Sequence, residues 1–216
     1  AVRHSFTKEQ VSQIAARLDK CGVPLIELSH GDGLGGSSYT YGFSKTDEFT
    51  LMEAAAKEIK NGRLTVLLLP GIGTIADLKQ AKACGAKAVR VATHVTEADV
   101  SAEHIYAAKE LDMMAVGFLM MVHTAPVERI VEEAKKMESY GADYINLADS
   151  AGYLMPEDVK ARITAVREAV NIPVGFHAHN NMGLAIANSL IAVQSGADFV
   201  DGTLRGLGAG AGQCPD

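Results

Sequence analysis

Hydrophobic positions along this chain come in two alternating patterns. Short, nearly continuous apolar runs alternate with longer stretches whose apolar residues recur at helical spacing. Four times a helical stretch ends in glycine just before such a run: Cys21-Gly22, Cys84-Gly85, Tyr140-Gly141 and Ser195-Gly196. Glycine past a helix end supplies the left-handed cap. The chain between successive glycines is long enough for two strand–helix units, which need about 30 residues each. The pattern predicts strands over 24–29, 64–69, 88–92, 114–120, 144–148, 174–177 and 199–202. It predicts helices over 7–20, 47–60, 75–83, 100–111, 127–139, 157–170 and 184–194. Thr7 is the expected N-cap of the first helix, and Pro126 and Pro156 open two later ones. Uninterrupted apolar strands suit a parallel sheet covered on both faces.

Seven strands alternating with seven helices make either a doubly wound sheet or a (β/α)8 barrel. No G-x-G-x-x-G opens a helix after the first strand, and Gly71-x-Gly73 is too short a match. Polar residues follow the strands, where a barrel places its site. The expected fold class is therefore α/β, an incomplete TIM barrel with about seven of its eight strands. One domain over 1–216 is expected, truncated at both ends, because the chain starts on a helix signal and stops after a glycine-rich loop.

Composition narrows the function classes. The chain has 216 residues, is 48% hydrophobic and carries a net charge of −6, which argues against nucleic acid or an anionic membrane surface as partner. The longest apolar runs, such as 64–70, are too short to span a bilayer. No signal peptide is visible. Cys21, Cys84 and Cys214 are widely spaced and read as free thiols. Cytoplasmic location is the expectation.

The candidate chemistry centres on Pro173-Val174-Gly175-Phe176-His177-Ala178-His179-Asn180. Side chains at i and i+2 of a strand share a face, so His177 and His179 project together. Two readings stand: a pair of ligands for a divalent metal that needs a third from elsewhere, or two histidines satisfied by hydrogen bonds at a strand end. Ser150 also has two readings, contact with a substrate carboxylate or a cap on the following turn. Leu67 and Leu69 face one side of their strand, as pocket wall or as core. His30 and Asp32 follow the first strand on the face where a site would lie, and read either as functional residues or, the favoured reading, as part of a glycine-rich loop turn. Arg90, inside an apolar strand, needs a carboxylate such as Glu27, one strand earlier. His94 and His123 are strand-end residues not taken as ligands.

Several phrases together resemble one family. They are His30-Gly31-Asp32-Gly33-Leu34, Leu67-Leu68-Leu69-Pro70-Gly71-Ile72-Gly73, Val89-Arg90-Val91-Ala92-Thr93-His94, Gly117-Phe118-Leu119-Met120-Met121, Ala148-Asp149-Ser150-Ala151-Gly152, His177-Ala178-His179-Asn180 and Gly208-Ala209-Gly210-Ala211-Gly212. In this order they resemble the 4-hydroxy-2-oxovalerate aldolases, metal-dependent pyruvate aldolases with a barrel of the HMG-CoA lyase type. The resemblance implies retro-aldol cleavage of 4-hydroxy-2-oxopentanoate to pyruvate and acetaldehyde in aromatic-compound catabolism. It implies His177 and His179 as metal ligands for Mn²⁺, with Mg²⁺ or Co²⁺ as substitutes, and Ser150, Leu67 and Leu69 as substrate-binding residues. It places the third ligand, an Asp, with an enolate-stabilising Arg and a His base, before Ala1. The isolated chain is accordingly expected to have little activity. It implies an acylating acetaldehyde dehydrogenase as partner of the full-length protein. The alternatives are another HMG-CoA-lyase-type carbon–carbon lyase, or a catalytically incompetent fragment. Cys214-Pro215 is similar to the loop that carries a catalytic cysteine in HMG-CoA lyase, a weaker match than the other phrases.

Overall fold

The structure, a computed structural model, describes residues 3–208 and 212–215. Ala209, Gly210 and Ala211, the middle of the expected glycine-rich phrase, lie outside the described residues. Among the described residues there are seven strands and seven α-helices, and strand order in the sheet follows the chain. The pairings among the first three strands and among the last four are parallel. The chain forms two compact units, Ala1–Val91 with Tyr106–Ala115, and Ala92–Ile105 with Val116–Asp216.

The first unit begins with α1 (Lys8–Lys20), capped as expected by Thr7, whose side chain accepts the Gln10 N–H while Gln10 reaches back. Then come β1 (Leu25–Glu27), α2 (Glu48–Glu58), β2 (Arg63–Leu68) and α3 (Ile75–Ala83). In β1 and β2, Ile26, Leu64, Val66 and Leu68 are buried, whereas Glu27, Arg63 and Leu67 are not. Thr65, on the face of Arg63 and Leu67, is buried as well, so β2 is covered on both faces over its middle residues. Asp19, near the end of α1, is 5% exposed and accepts backbone N–H groups of Lys60, Asn61 and Gly62 at 3.0, 2.9 and 2.7 Å. These bonds hold its carboxyl below the usual range and tie α1 to the turn before β2.

β3 (Ala88–His94), α4 (Ala102–Glu110) and β4 (Met114–Met120) run through both units. The second unit continues with α5 (Val127–Ser139), β5 (Tyr144–Asp149), α6 (Pro156–Ala169), β6 (Val174–Ala178), α7 (Ala185–Gln194) and β7 (Phe199–Val200). Its core packs Ile145 and Leu147 of β5 with Ile130, Met137 and Ile163 of the helices, all fully buried. At Gly117 an added Cβ would lie 2.6 Å from Met137 Sδ, so glycine permits the close approach of β4 and α5. At Gly175 it would lie 2.1 Å from the Phe199 ring, which covers that stretch of β6.

Element types agree with the pattern, and several boundaries differ. β1 is three residues rather than six. Past Leu28 the Leu67 N–H bonds the Ser29 hydroxyl at 3.3 Å, so a side chain replaces the strand's backbone acceptor. α4 starts at Ala102, after a 3-10 turn at Ala98–Ser101 in which Glu133 accepts the Ala98 N–H and the Ser101 hydroxyl bonds the Ala98 carbonyl. Arg90 pairs with Glu27 as expected, through Nη2 to Oε1 at 2.7 Å and through Nε to Oε2. Glu27 lies on β1 and Arg90 on β3, two strands apart rather than one, so the pair arches over β2. The three cysteines are free. No helix among the described residues is long and apolar enough to cross a membrane.

Candidate metal centre

Four side chains of the second unit converge at the carboxyl end of its strands. Phe118 of β4 and Asn146 of β5 are register partners, and Asn146 is in turn the partner of Gly175 on β6. His177 lies two residues further along β6, on the same face as Gly175. Its ring meets Phe118 edge-on, with centroids 5.4 Å apart, and only 6% of the residue is exposed. His177 Nδ1 lies 2.7 Å from Oδ2 of Asp201, just past β7. The same oxygen accepts an N–H from Asn146 Nδ2 at 2.9 Å.

His179 follows one residue past the end of β6. Its N–H bonds the Asp149 carbonyl at 3.4 Å, and it forms an antiparallel bridge with Gln213. The two imidazoles do share a face, with centroids 5.2 Å apart in an edge-on arrangement. The returning segment 212–215 braces this strand end: the Cys214 N–H donates to the Ala178 carbonyl at 3.0 Å, and the Asn180 N–H to the Gly212 carbonyl at 2.9 Å.

Ser150, the residue after β5, accepts the Met121 N–H at 2.9 Å. That bond uses an oxygen lone pair, so the hydroxyl proton stays available for another acceptor. Met121 adopts the left-handed conformation at φ 61°, which turns the chain sharply at the end of β4. Capping of the turn after β5 falls instead to Asp149. Its two oxygens accept the N–H groups of Tyr153 and Leu154 at 3.1 and 3.0 Å.

The remaining candidates have local work. His30 is 4% exposed; its Nδ1 accepts the Asp32 N–H and its Nε2 donates to the Gly42 carbonyl, closing the loop after β1. His94 Nδ1 bonds Thr96. His123 Nδ1 is buried 3.9 Å from Asp149. Cys214 is buried, its sulfur 3.4 Å from the Ser189 hydroxyl on α7. Leu67 and Leu69, in the first unit, are half-buried beside fully buried Leu68, and the Gly33–Leu34 turn closes over the Leu67 carbonyl. Asp201 and Asn146 were not singled out in the sequence, although an aspartate ending an apolar run was a readable signal.

The donor chemistry fits a divalent cation in part. With Nδ1 of His177 engaged by Asp201, Nε2 is the nitrogen left for a ligand, and a second imidazole stands beside it. No set of three or more His, Cys, Asp or Glu side chains placed to hold an ion occurs among the described residues.

The strand order and the cluster at the strand ends define an α/β protein of the TIM-barrel type with a polar site at the carboxyl end of its strands. The chain belongs to the HMGL-like family, whose model matches residues 1–215. It is 65% identical over 212 residues to a 4-hydroxy-2-oxovalerate aldolase of Moorella thermoacetica and 60% identical over 212 residues to one of Carboxydothermus hydrogenoformans. Each match covers 98% of this chain and 63% of the relative, so the chain spans less than two thirds of these relatives' length. The carboxyl transferase domain of Rhizobium etli pyruvate carboxylase superposes with a TM-score of 0.83 at 21% identity, covering 97% of this chain and 38% of that one; this likeness concerns the fold alone.

Proposed function

We propose that this chain supplies the barrel core of a divalent-metal-dependent carbon–carbon lyase, a 4-hydroxy-2-oxovalerate aldolase. The observation that carries the reading is the pair His177 and His179 at the end of β6, with His177 Nδ1 occupied by Asp201 at 2.7 Å. The named relatives at 60 to 65% identity support the reaction class. Cleavage of 4-hydroxy-2-oxopentanoate breaks the C3–C4 bond. The 4-hydroxyl proton goes to a base, its O–H electrons form the acetaldehyde carbonyl, and the C3–C4 pair becomes the pyruvate enolate. Protonation at C3 then gives pyruvate.

His177 and His179 would hold the cation, Mn²⁺ in this reading with Mg²⁺ or Co²⁺ as substitutes. When bound, the cation supplies a Lewis acid for the 2-oxo acid and for negative charge developing on its oxygen. Ser150 contributes a hydroxyl donor for the carboxylate of the substrate. Phe118 meets the His177 ring edge-on and covers part of that buried imidazole. Leu67 and Leu69 are proposed, on the family resemblance of their phrase alone, as apolar contacts of the aldehyde. No described residue is assigned as the base. An acylating acetaldehyde dehydrogenase is the proposed partner, the cytoplasm the proposed location, and aromatic-compound breakdown the proposed setting.

The test is a coupled assay of pyruvate release by the gene product carrying these residues, with Mn²⁺ and 4-hydroxy-2-oxopentanoate, run beside HMG-CoA. Pyruvate from the hydroxy-oxo acid is expected, abolished by chelator and restored by Mn²⁺. Turnover of the thioester alone would overturn the reading.

A further inference from the structure

The polar cluster around His177 contains Asn146, which the proposed reaction leaves without a role, and Asp201, which enters it only as the group beside His177 Nδ1. Asp201 accepts from both His177 and Asn146 on one oxygen. An ionised carboxylate only accepts, so the imidazole nitrogen facing it must carry the proton. Asn146 is fully buried on β5, and its Oδ1 has no hydrogen-bond partner among the described residues. Turning the amide over would put Oδ1 against the carboxylate. The amide therefore keeps its donor on Asp201 at the expense of an unmatched acceptor. Backbone geometry fixes Asp201 as well: its N–H donates to the Phe176 carbonyl at 3.1 Å, continuing the β6–β7 ladder.

We propose that Asp201 is the positioning residue of His177 and that Asn146 holds Asp201 in place, so that His177 is kept as the Nδ1–H tautomer with the Nε2 lone pair presented to a divalent cation. The use of that lone pair rests on the metal reading above; the tautomer does not. A neutral imidazole in water prefers the Nε2–H form, so the opposite tautomer requires a partner of this kind. Carboxylate partners of this sort commonly orient histidine ligands and raise their basicity.

The tautomer is read directly from long-range ¹H–¹⁵N correlations of the histidine-labelled, metal-free protein. Wild type is expected to show His177 with its proton on Nδ1. Asp201→Ala should move it to Nε2, and Asn146→Ala should mix the two forms. A wild-type Nε2–H signal, or an unchanged tautomer in Asp201→Ala, would overturn the proposal. The wild-type spectrum decides even if the variant does not fold. In a second arm, electron spin resonance counts free Mn²⁺. Asp201→Ala should bind about 10–100-fold more weakly than wild type. Equal affinity in the two proteins, with wild type binding tightly, would overturn the proposal. No Mn²⁺ binding by wild type would instead reject the metal reading, with the tautomer still decided by the first arm.

Discussion

The Ser150 hydroxyl accepts the Met121 N–H at 2.9 Å and so joins the residue after β5 to the left-handed residue after β4. Ser150→Ala removes that acceptor. Loss of about 0.5–1.5 kcal/mol is expected in urea unfolding, the usual net value of one such bond. If the same hydroxyl also donates to the substrate carboxylate, KM for the 2-oxo acid should rise about tenfold with a smaller change in kcat. Unaltered KM in a folded variant would remove Ser150 from the substrate site.

The Glu27–Arg90 pair is bidentate and part-buried, with side chains 29% and 14% exposed. Removing one partner takes the bidentate pairing away from the other. Glu27→Leu or Arg90→Met alone should each cost about 2 kcal/mol, less than the 3–5 of a fully buried pair. The double variant should recover most of the loss. A double-mutant cycle by denaturant unfolding measures the coupling, and additive losses would contradict it.

Gly175 lies directly beneath the Phe199 ring. Gly175→Ala has no room for its methyl group and should cost about 1–3 kcal/mol through overpacking. Adding Phe199→Leu should return part of that stability. A folded Gly175→Ala protein as stable as wild type would contradict the packing described.

Glu48 is buried; it accepts the Gly35 N–H at 3.0 Å, while its Oε2 has no partner among the described residues. Burial pushes its carboxyl above the ordinary value of 4.5. The native state therefore holds the proton more tightly than the unfolded chain. This group's contribution is fully present below pH 4.5 and is lost as pH rises through the folded value. Glu48→Gln should flatten the fall in stability above that pH, measured by urea unfolding across the range. An unchanged slope would count against burial of the charge.

The alternation of apolar runs and helical stretches was enough to name seven strands and seven helices, and the polar residues after the strands, with no G-x-G-x-x-G after the first, favoured the barrel over a doubly wound sheet. Such features are decided by neighbours within a few residues. Gly22, Gly85, Gly141 and Gly196 all have positive φ, as the cap signal required. The likeness of His177 and His179 to a ligand pair was also legible, because a two-residue period survives in any strand. Boundaries were less so: β1 ends early because the Ser29 side chain takes over an acceptor position. Asp201 is 24 residues from His177 and meets it only because β7 pairs with β6 and carries the chain to that strand's end. Asn146 reaches the same oxygen only through the register of β5 against β6. The chain by itself determined which elements form and that two imidazoles stand together. The tertiary structure decided which nitrogen of His177 is left for a ligand, because that depends on groups brought near by strand pairing rather than by sequence distance.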